Sequence, residues 1–358
     1  MIVMAWMLLG NNSVTYKVTM ERIKISVIIP VYNVAPYITD CLHSVMRQSY
    51  QDSIECLIID DCGTDNSMEV VNSVLNDYHG KIDFKVLHHE CNRGLSAARN
   101  TGVASATGDY LYFLDSDDEL TDNCLELLAA PLKDTAYDFV IGGYKITGSA
   151  KSYPSVTLHD GAALHGENII KSYYRGEWYM MACGKLCNAK FLKDNQLLFK
   201  EGLLHEDELW SFQLACLARS MYVVNKGSYI YKIREGSITM CAEAQRRKVK
   251  ALRTILQESV QFVLEKGIKS PYAFLKTYTI FENLCNIARL NGCSRDIVCY
   301  RQILAVLSYG RRVKSCLVGI KEFVRFSYVC LPVCAFPVHN RLFIWGVKYK
   351  NRLTHYIV

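Results

Sequence analysis

Residues 108–120 read GDYLYFLDSDDEL, an unbroken apolar run at 110–114 that stops on Asp115-Ser116-Asp117-Asp118. A short apolar run that ends on turn-forming acids reads as a strand covered on both faces. An apolar run followed by a polar turn and a helical pattern occurs three times upstream. Residues 25–30 (ISVIIP) lead to a helical pattern from about 36 to 48, and 55–59 (ECLII) end in Asp60-Asp61 before a helix after Asp65. Residues 84–88 (FKVLH) precede a helix after Gly94, and the 110–114 run itself leads to one after Thr121. Strands alternating with amphipathic helices predict an α/β fold, a mostly parallel sheet flanked by helices. Ligands of such sheets bind beyond the carboxyl ends of the strands, which is where these acids stand.

The pattern continues outward from that block. A strand at 139–144, a helix near 167–174, a turn-rich stretch at 176–190, a helix opening at Glu206 and a strand-like 221–233 follow. This organisation reads as an extension or mis-called start before Met20 (1–21), a catalytic α/β domain (22–240) and a helical, basic C-terminal region (241–358). The opening run MIVMAWMLLG lacks a basic start and a cleavage site, and it falls short of the ~20 residues needed to cross a bilayer.

The 358 residues are half hydrophobic and 21% charged, a globular balance that excludes disorder. The net charge of +6 is unevenly placed: from Glu243 onward there are 20 Lys/Arg against 6 Asp/Glu, leaving 21 against 29 upstream. An acidic front suits metal and substrate chemistry, and a basic back suits an anionic surface. Within 311–352, nine Lys/Arg mix with aromatics, and the uncharged run 326–340 contains Pro332 and Pro337, so no transmembrane helix is expected there. Two readings stay open for this tail: binding to the anionic cytoplasmic face of an inner membrane, or packing onto the core. No nucleic-acid motif accompanies it. The fifteen cysteines are scattered and complete no zinc pattern, despite the close pairs Cys183/Cys187 and Cys330/Cys334; reduced cytosolic thiols are the reading.

Four clusters carry candidate chemistry. Asp115 and Asp117 can grip a hard divalent ion from one side while it keeps waters and phosphates; Asp118 or Thr121 can instead cap the next helix. In Asp60-Asp61 one carboxylate is available to a base or ribose, with Asp65 and Ser67 capping the helix that follows. Asn92-Arg93-Gly94 and Arg99 open the third helix with a permissive glycine and a guanidinium fork. His205-Glu206-Asp207-Glu208 places carboxylates at a helix N-terminus, which the dipole favours, and such a group can also take a hydroxyl proton.

SVIIPVYN (26–33), IIDDCGTDNS (58–67), NRGLSAARNTG (92–102), GDYLYFLDSDDEL (108–120) and LLHEDELW (203–210), in this order, resemble family 2 glycosyltransferases of the GT-A fold. The likeness covers about residues 22–240, and YKIREGSIT (231–239) resembles a segment common in capsule and O-antigen transferases. Cys62-Gly63 departs slightly from the usual small pair. The resemblance implies that Pro30, Val31, Tyr32 and Asn33 line a nucleotide pocket and that Asp61 bonds the base, uracil. It further implies that Arg99 helps to hold the donor and that Asp115 and Asp117 form a DxD motif binding Mn2+ or Mg2+. Asp207 would be the catalytic base with Glu206 beside it, and Arg234 would close over the pyrophosphate. Lys185 has two readings, a further wall residue of the site or, in preference, a surface lysine. The implied activity is inverting transfer from a UDP-sugar to a lipid-linked glycan at the inner membrane. The competing readings are an inactive glycan-binding scaffold, which would have lost these acids, and a nucleotidyltransferase, which would need a glycine-rich basic loop after the first strand.

Overall fold

The computed structural model describes residues 22–148, 155–233 and 242–290, with position 303. Three strand–helix units and a fourth strand come first among the described residues: β1 (Ile25–Val31) and α1 (Ile38–Met46), β2 (Ile54–Asp60) and α2 (Ser67–Asn76), β3 (Asp83–His88) and α3 (Leu95–Ser105), and β4 (Tyr110–Phe113). Next come β5 (Glu119–Leu120), α4 (Cys124–Ala129), β6 (Phe139–Thr147), β7 (Ala163–His165), α5 (Glu167–Tyr174), β8 (Lys185–Asn188) and α6 (Ala189–Asp194). The described chain closes with α7 (Glu206–Leu217), β9 (Ser220–Lys232), α8 (Ala242–Glu265) and α9 (Pro271–Leu290).

These strands form one sheet in the order β3-β2-β1-β4-β8-β6-β9-β5, with β7 pairing β9. The block β3-β2-β1-β4 is parallel, as the strand–helix alternation predicts. Beyond it the sheet is mixed: β8 runs antiparallel to β4 and to β6, while β6 and β9 pair in parallel.

Both faces are covered. All seven residues of β1 are buried, and their side chains alternate between two cores. Ile28 joins Leu57, Ile59, Phe113 and the α3, α5, α7, α8 and α9 side. Val27 and Ile29 join Cys56, Ile58, Tyr112 and the α1, α2 and α4 side. The thiols of Cys41, Cys56, Cys124, Cys183, Cys187, Cys216 and Cys285 are free and buried or half-buried, acting as small apolar groups. Cys330 and Cys334 lie outside the described residues.

At the amino ends of the strands, fully buried Glu55 accepts from Ser26, from the Thr107 hydroxyl and backbone, and from Lys85. These bonds to its charged form outweigh burial and hold its carboxyl down at about 2. The carboxyl ends of β2, β1 and β4 are left side by side on the opposite edge. No helix among the described residues is long and apolar enough to cross a membrane. The basic stretch 311–352 and the leading residues 1–21 lie outside the described residues.

Candidate active site

Three neighbouring strand ends supply one wall of the site. Pro30 and Val31 are buried within β1 and paired with β2, so they support the wall from behind. Tyr32 emerges 46% exposed, and Asn33 takes a left-handed conformation with φ 53°. Asn33 Oδ1 accepts from the backbone N–H groups of Thr64 and Asp65, tying the β1 loop to the β2 loop. Cys62 is left-handed as well (φ 57°), and a Cβ on Gly63 would lie 3.0 Å from Asn33 Oδ1. The small pair at 62–63 therefore preserves the close approach that the turn requires. Asp65 accepts from Ser67 N, at the first residue of α2, and from Ala35 N, while the N-cap position itself is Asn66.

Asp61 is buried at the end of β2. Its Oδ1 bonds His89 Nδ1 at 2.7 Å and Arg93 N at 2.8 Å, and its Oδ2 accepts from Gly94 N at 2.8 Å. The β2–β3 register sets Asp60 opposite His88, so the Asp60-Asp61 and His88-His89 pairs meet. His89 also bonds Thr101 on α3. The sequence holds a signal for this partner, since paired acids and paired imidazoles end adjacent parallel strands.

Arg99 occupies the centre. It sits on the second turn of α3, is 0% exposed, and lies 5.1 Å from the Phe199 ring centroid. Its Nη2 donates to Asp115 Oδ1 at 2.8 Å; its Nη1 donates to Glu206 Oε1 and Asp207 Oδ1, each at 2.9 Å. The fork expected to face the donor is thus occupied by carboxylates. One planar guanidinium joins the end of β4 to the start of α7, 91 residues apart at the nearest pair, Asp115 and Glu206. Beneath it Phe199 stacks on Trp210 at 4.9 Å, and Phe113 meets both edge-on. Such pairs add about 0.5–1.5 kcal/mol each beyond area burial, giving the ion cluster a stiff floor.

His205 precedes α7 in a left-handed conformation (φ 61°), which turns the acidic first turn toward Arg99. Three of the four left-handed non-glycine residues among the described residues (Asn33, Cys62, His205) border this site, the usual place for stored backbone strain. Burial raises the Glu206 carboxyl, and Asp207 pushes it further. Burial likewise raises Asp207, with Arg99 and Lys185 opposing. Such a raised carboxylate is a stronger base than an exposed one.

Lys185 is not a surface lysine. It lies on β8 between β4 and β6 with no solvent face, fully buried among the Tyr179 and Trp178 rings. Its ammonium donates to the carbonyls of Tyr179 and Met181, and burial lowers it to about 8. Asp118 and Thr121 do not cap α4 by their side chains either. Asp118 is 1% exposed, accepting from Tyr229 OH at 2.5 Å and Lys232 N at 2.8 Å, because β9 folds over the turn. Thr121 bonds Ser228 O.

Burial, with Asp115 nearby, raises Asp118 from 3.8 to about 7. A raised carboxyl stabilises the fold fully below its unfolded value, and that stability is lost as pH climbs through the folded value. Asp118→Asn, neutral throughout, should therefore lose less stability between pH 5 and pH 8 than the parent. Urea midpoints at the two pH values test this, and identical changes in both proteins would contradict it.

Asp115 and Asp117 flank this turn, half-buried. Among the described residues no three His, Cys, Asp or Glu side chains converge as a metal cage. The donor set suits an ion held from one side and completed by phosphates and water, a Mg2+ or Mn2+ habit. Arg234 lies outside the described residues.

The family model described as "Glycosyl transferase family 2" matches residues 26–194. Glycosyltransferase GlyA of Streptococcus pneumoniae is 30% identical over 285 residues, 75% of this chain and 38% of that protein. Glycosyltransferase GlyG of the same organism is 30% identical over 223 residues, 60% of this chain and 72% of the relative. The chain thus spans under two fifths of GlyA and nearly three quarters of GlyG. Among solved structures, residues 1–349 of Staphylococcus aureus TarS in complex with UDP-GlcNAc superpose with a TM-score of 0.68 at 23% identity, covering 92% of either chain. A mannosyltransferase from Pyrobaculum calidifontis, solved with GDP-Man and Mn2+, gives 0.54 at 13% identity, covering 93% of this chain and 88% of that one. Both share its fold. With the five motifs brought to one edge of such a sheet, the chain belongs to glycosyl transferase family 2.

Proposed function

We propose that the chain is an inverting glycosyltransferase that moves a sugar from a UDP donor to a hydroxyl of a lipid-linked surface glycan. The carrying observation is the convergence of Asp115, Glu206 and Asp207 on the buried Arg99 guanidinium. Stability alone does not call for three carboxylates there; an apolar core would serve as well. UDP-GlcNAc in the TarS complex supports the donor class.

In this reading Tyr32 and Asn33 border the nucleotide and Asp61 faces its base. Asp115, oriented by Arg99, holds the ribose or sugar. Asp207 takes the acceptor hydroxyl's proton as its oxygen attacks the anomeric carbon from the face opposite the diphosphate, so a single displacement inverts that centre. Glu206 shapes the acceptor side and shares the guanidinium. A divalent cation on Asp117 and Asp115 would supply charge neutralisation to the departing UDP. Association of the basic tail with the cytoplasmic face of the inner membrane would bring the site to a lipid-borne acceptor.

The test is UDP release from a panel of UDP-sugars with manganese. Release from one donor, lost in Asp117→Ala together with the calorimetric heat of UDP binding, is the expected result. A panel without release or UDP binding would overturn the donor class.

A further inference from the structure

The loop that delivers Glu206 and Asp207 has a second neighbour. A cavity of about 460 Å³ opens between residues 200–204 and α8, lined by Lys200, Glu201, Leu204, Arg247, Lys250 and Thr254. On α8, Arg247, Lys250 and Thr254 stand at i, i+3 and i+7, hence on one face of the helix. Two of its charges are already matched: Lys200 pairs with Glu258 at 2.7 Å and Glu201 with Arg93 at 3.1 Å. No carboxylate among the described residues pairs with Arg247 or Lys250. Their neighbour Lys248 adds to the field, acting with burial to hold the His205 imidazole below its ordinary value. The result is a roomy concavity with two cations uncompensated, next to a loop ending in the candidate base.

From this we infer that the cavity between residues 200–204 and α8 binds a phosphate-bearing part of the acceptor. It rests on the assignment of Asp207 as the base. Leu204 is three residues from Asp207, a reach of at most ~11 Å along the chain. A ligand in the cavity therefore lies on the acceptor side, about one or two sugar units from the attacked hydroxyl. The donor's own diphosphate belongs at the other wall, where β1, β2 and β4 end. A guanidinium and an ammonium on one helix face suit phosphate, the first as a fork and the second as a point charge. The cavity is open, so a chain can enter and continue out of it. The phosphate can be the diester of a polyol-phosphate chain or the diphosphate of a prenyl carrier.

The experiment uses the full chain with its donor site filled by saturating UDP and manganese. Two probes are titrated by calorimetry: a glycerol-phosphate oligomer for the diester, and geranyl diphosphate for the carrier. At least one should bind, weakening as salt is raised, and Arg247→Glu/Lys250→Glu should weaken it by roughly tenfold or more, as loss of charge-assisted contacts requires. The charge-conserving swap Arg247→Lys/Lys250→Arg should keep most of the affinity, and thermal melts of both variants check that α8 is intact. Whichever probe binds tighter names the source. Unchanged affinity in the Glu/Glu variant, or no binding of either probe, overturns the subsite. So does binding seen only without UDP, which would assign the phosphates to the donor wall. The UDP titration that precedes the probes reads the donor assignment separately: UDP bound and probes ignored refutes the subsite alone.

Discussion

Asp207→Asn should lower kcat by about 10²–10⁴-fold, the usual contribution of a positioned general base, while KM for the UDP-sugar changes little. The amide keeps the shape and can still offer an oxygen to Arg99 Nη1, so the melting temperature should stay close to the parent's. What it loses is the ability to take a proton. In the parent, burial raises this carboxyl, with Arg99 and Lys185 opposing. The rate should accordingly fall on the acid side as that group protonates, and the residual activity of Asp207→Asn should lack this limb. Steady-state rates across pH on the donor identified by UDP release provide the measurement. Near-normal turnover by the variant would move the base elsewhere, with Glu206, which shares Arg99 Nη1, the first alternative.

Arg99→Met should destabilise the protein by about 3 kcal/mol or more near neutral pH, the scale on which removing one partner of a buried ion pair acts. Methionine fills much of the space above Phe199, so the loss is electrostatic rather than a cavity. Asp115, Glu206 and Asp207 are left to repel one another, their side chains 31%, 11% and 22% exposed. Partial exposure lets them relieve the repulsion by taking up protons. Without the cation the Glu206 and Asp207 carboxyls, already raised by burial, move further up, so stability is present in acid and lost as pH rises. The deficit against the parent should be larger at pH 8 than at pH 5, read from urea unfolding at both. A loss below about 1 kcal/mol at pH 8, or a deficit independent of pH, would show that the cluster is not held by Arg99.

The parallel half of the fold was legible residue by residue. Runs such as ISVIIP and YLYFL are too short for helices and too apolar for half-exposed strands, which leaves a doubly covered sheet. Acids at the ends of those runs then had to gather on one edge, because parallel neighbours end together. The helix at Glu206 was readable for a related reason: acids in a first turn agree with the helix dipole. The reversal of β8 was not readable. Its four residues, KLCN, carry no mark of direction, which pairing with β4 and β6 decides.

Side-chain fate divides along the same line. That Asp115, Asp117, Glu206 and Asp207 are candidates for chemistry follows from their types and places in the sequence, since carboxylates beside apolar runs need partners. Which partner each takes is a property of three-dimensional approach. Arg99 reads as a fork for phosphate until α7 delivers two carboxylates to it, 107 and 108 residues later in the chain. Lys185 reads as solvent-facing until its strand is enclosed on both edges, and Asp118 reads as a cap until β9 covers it. Local propensity and periodicity are encoded over a few residues, so the sequence by itself determined the strands, the helices and the edge where chemistry gathers. Charge pairing depends on distances of a few ångströms between segments remote in the chain, so only the tertiary structure decided that one buried guanidinium organises the site.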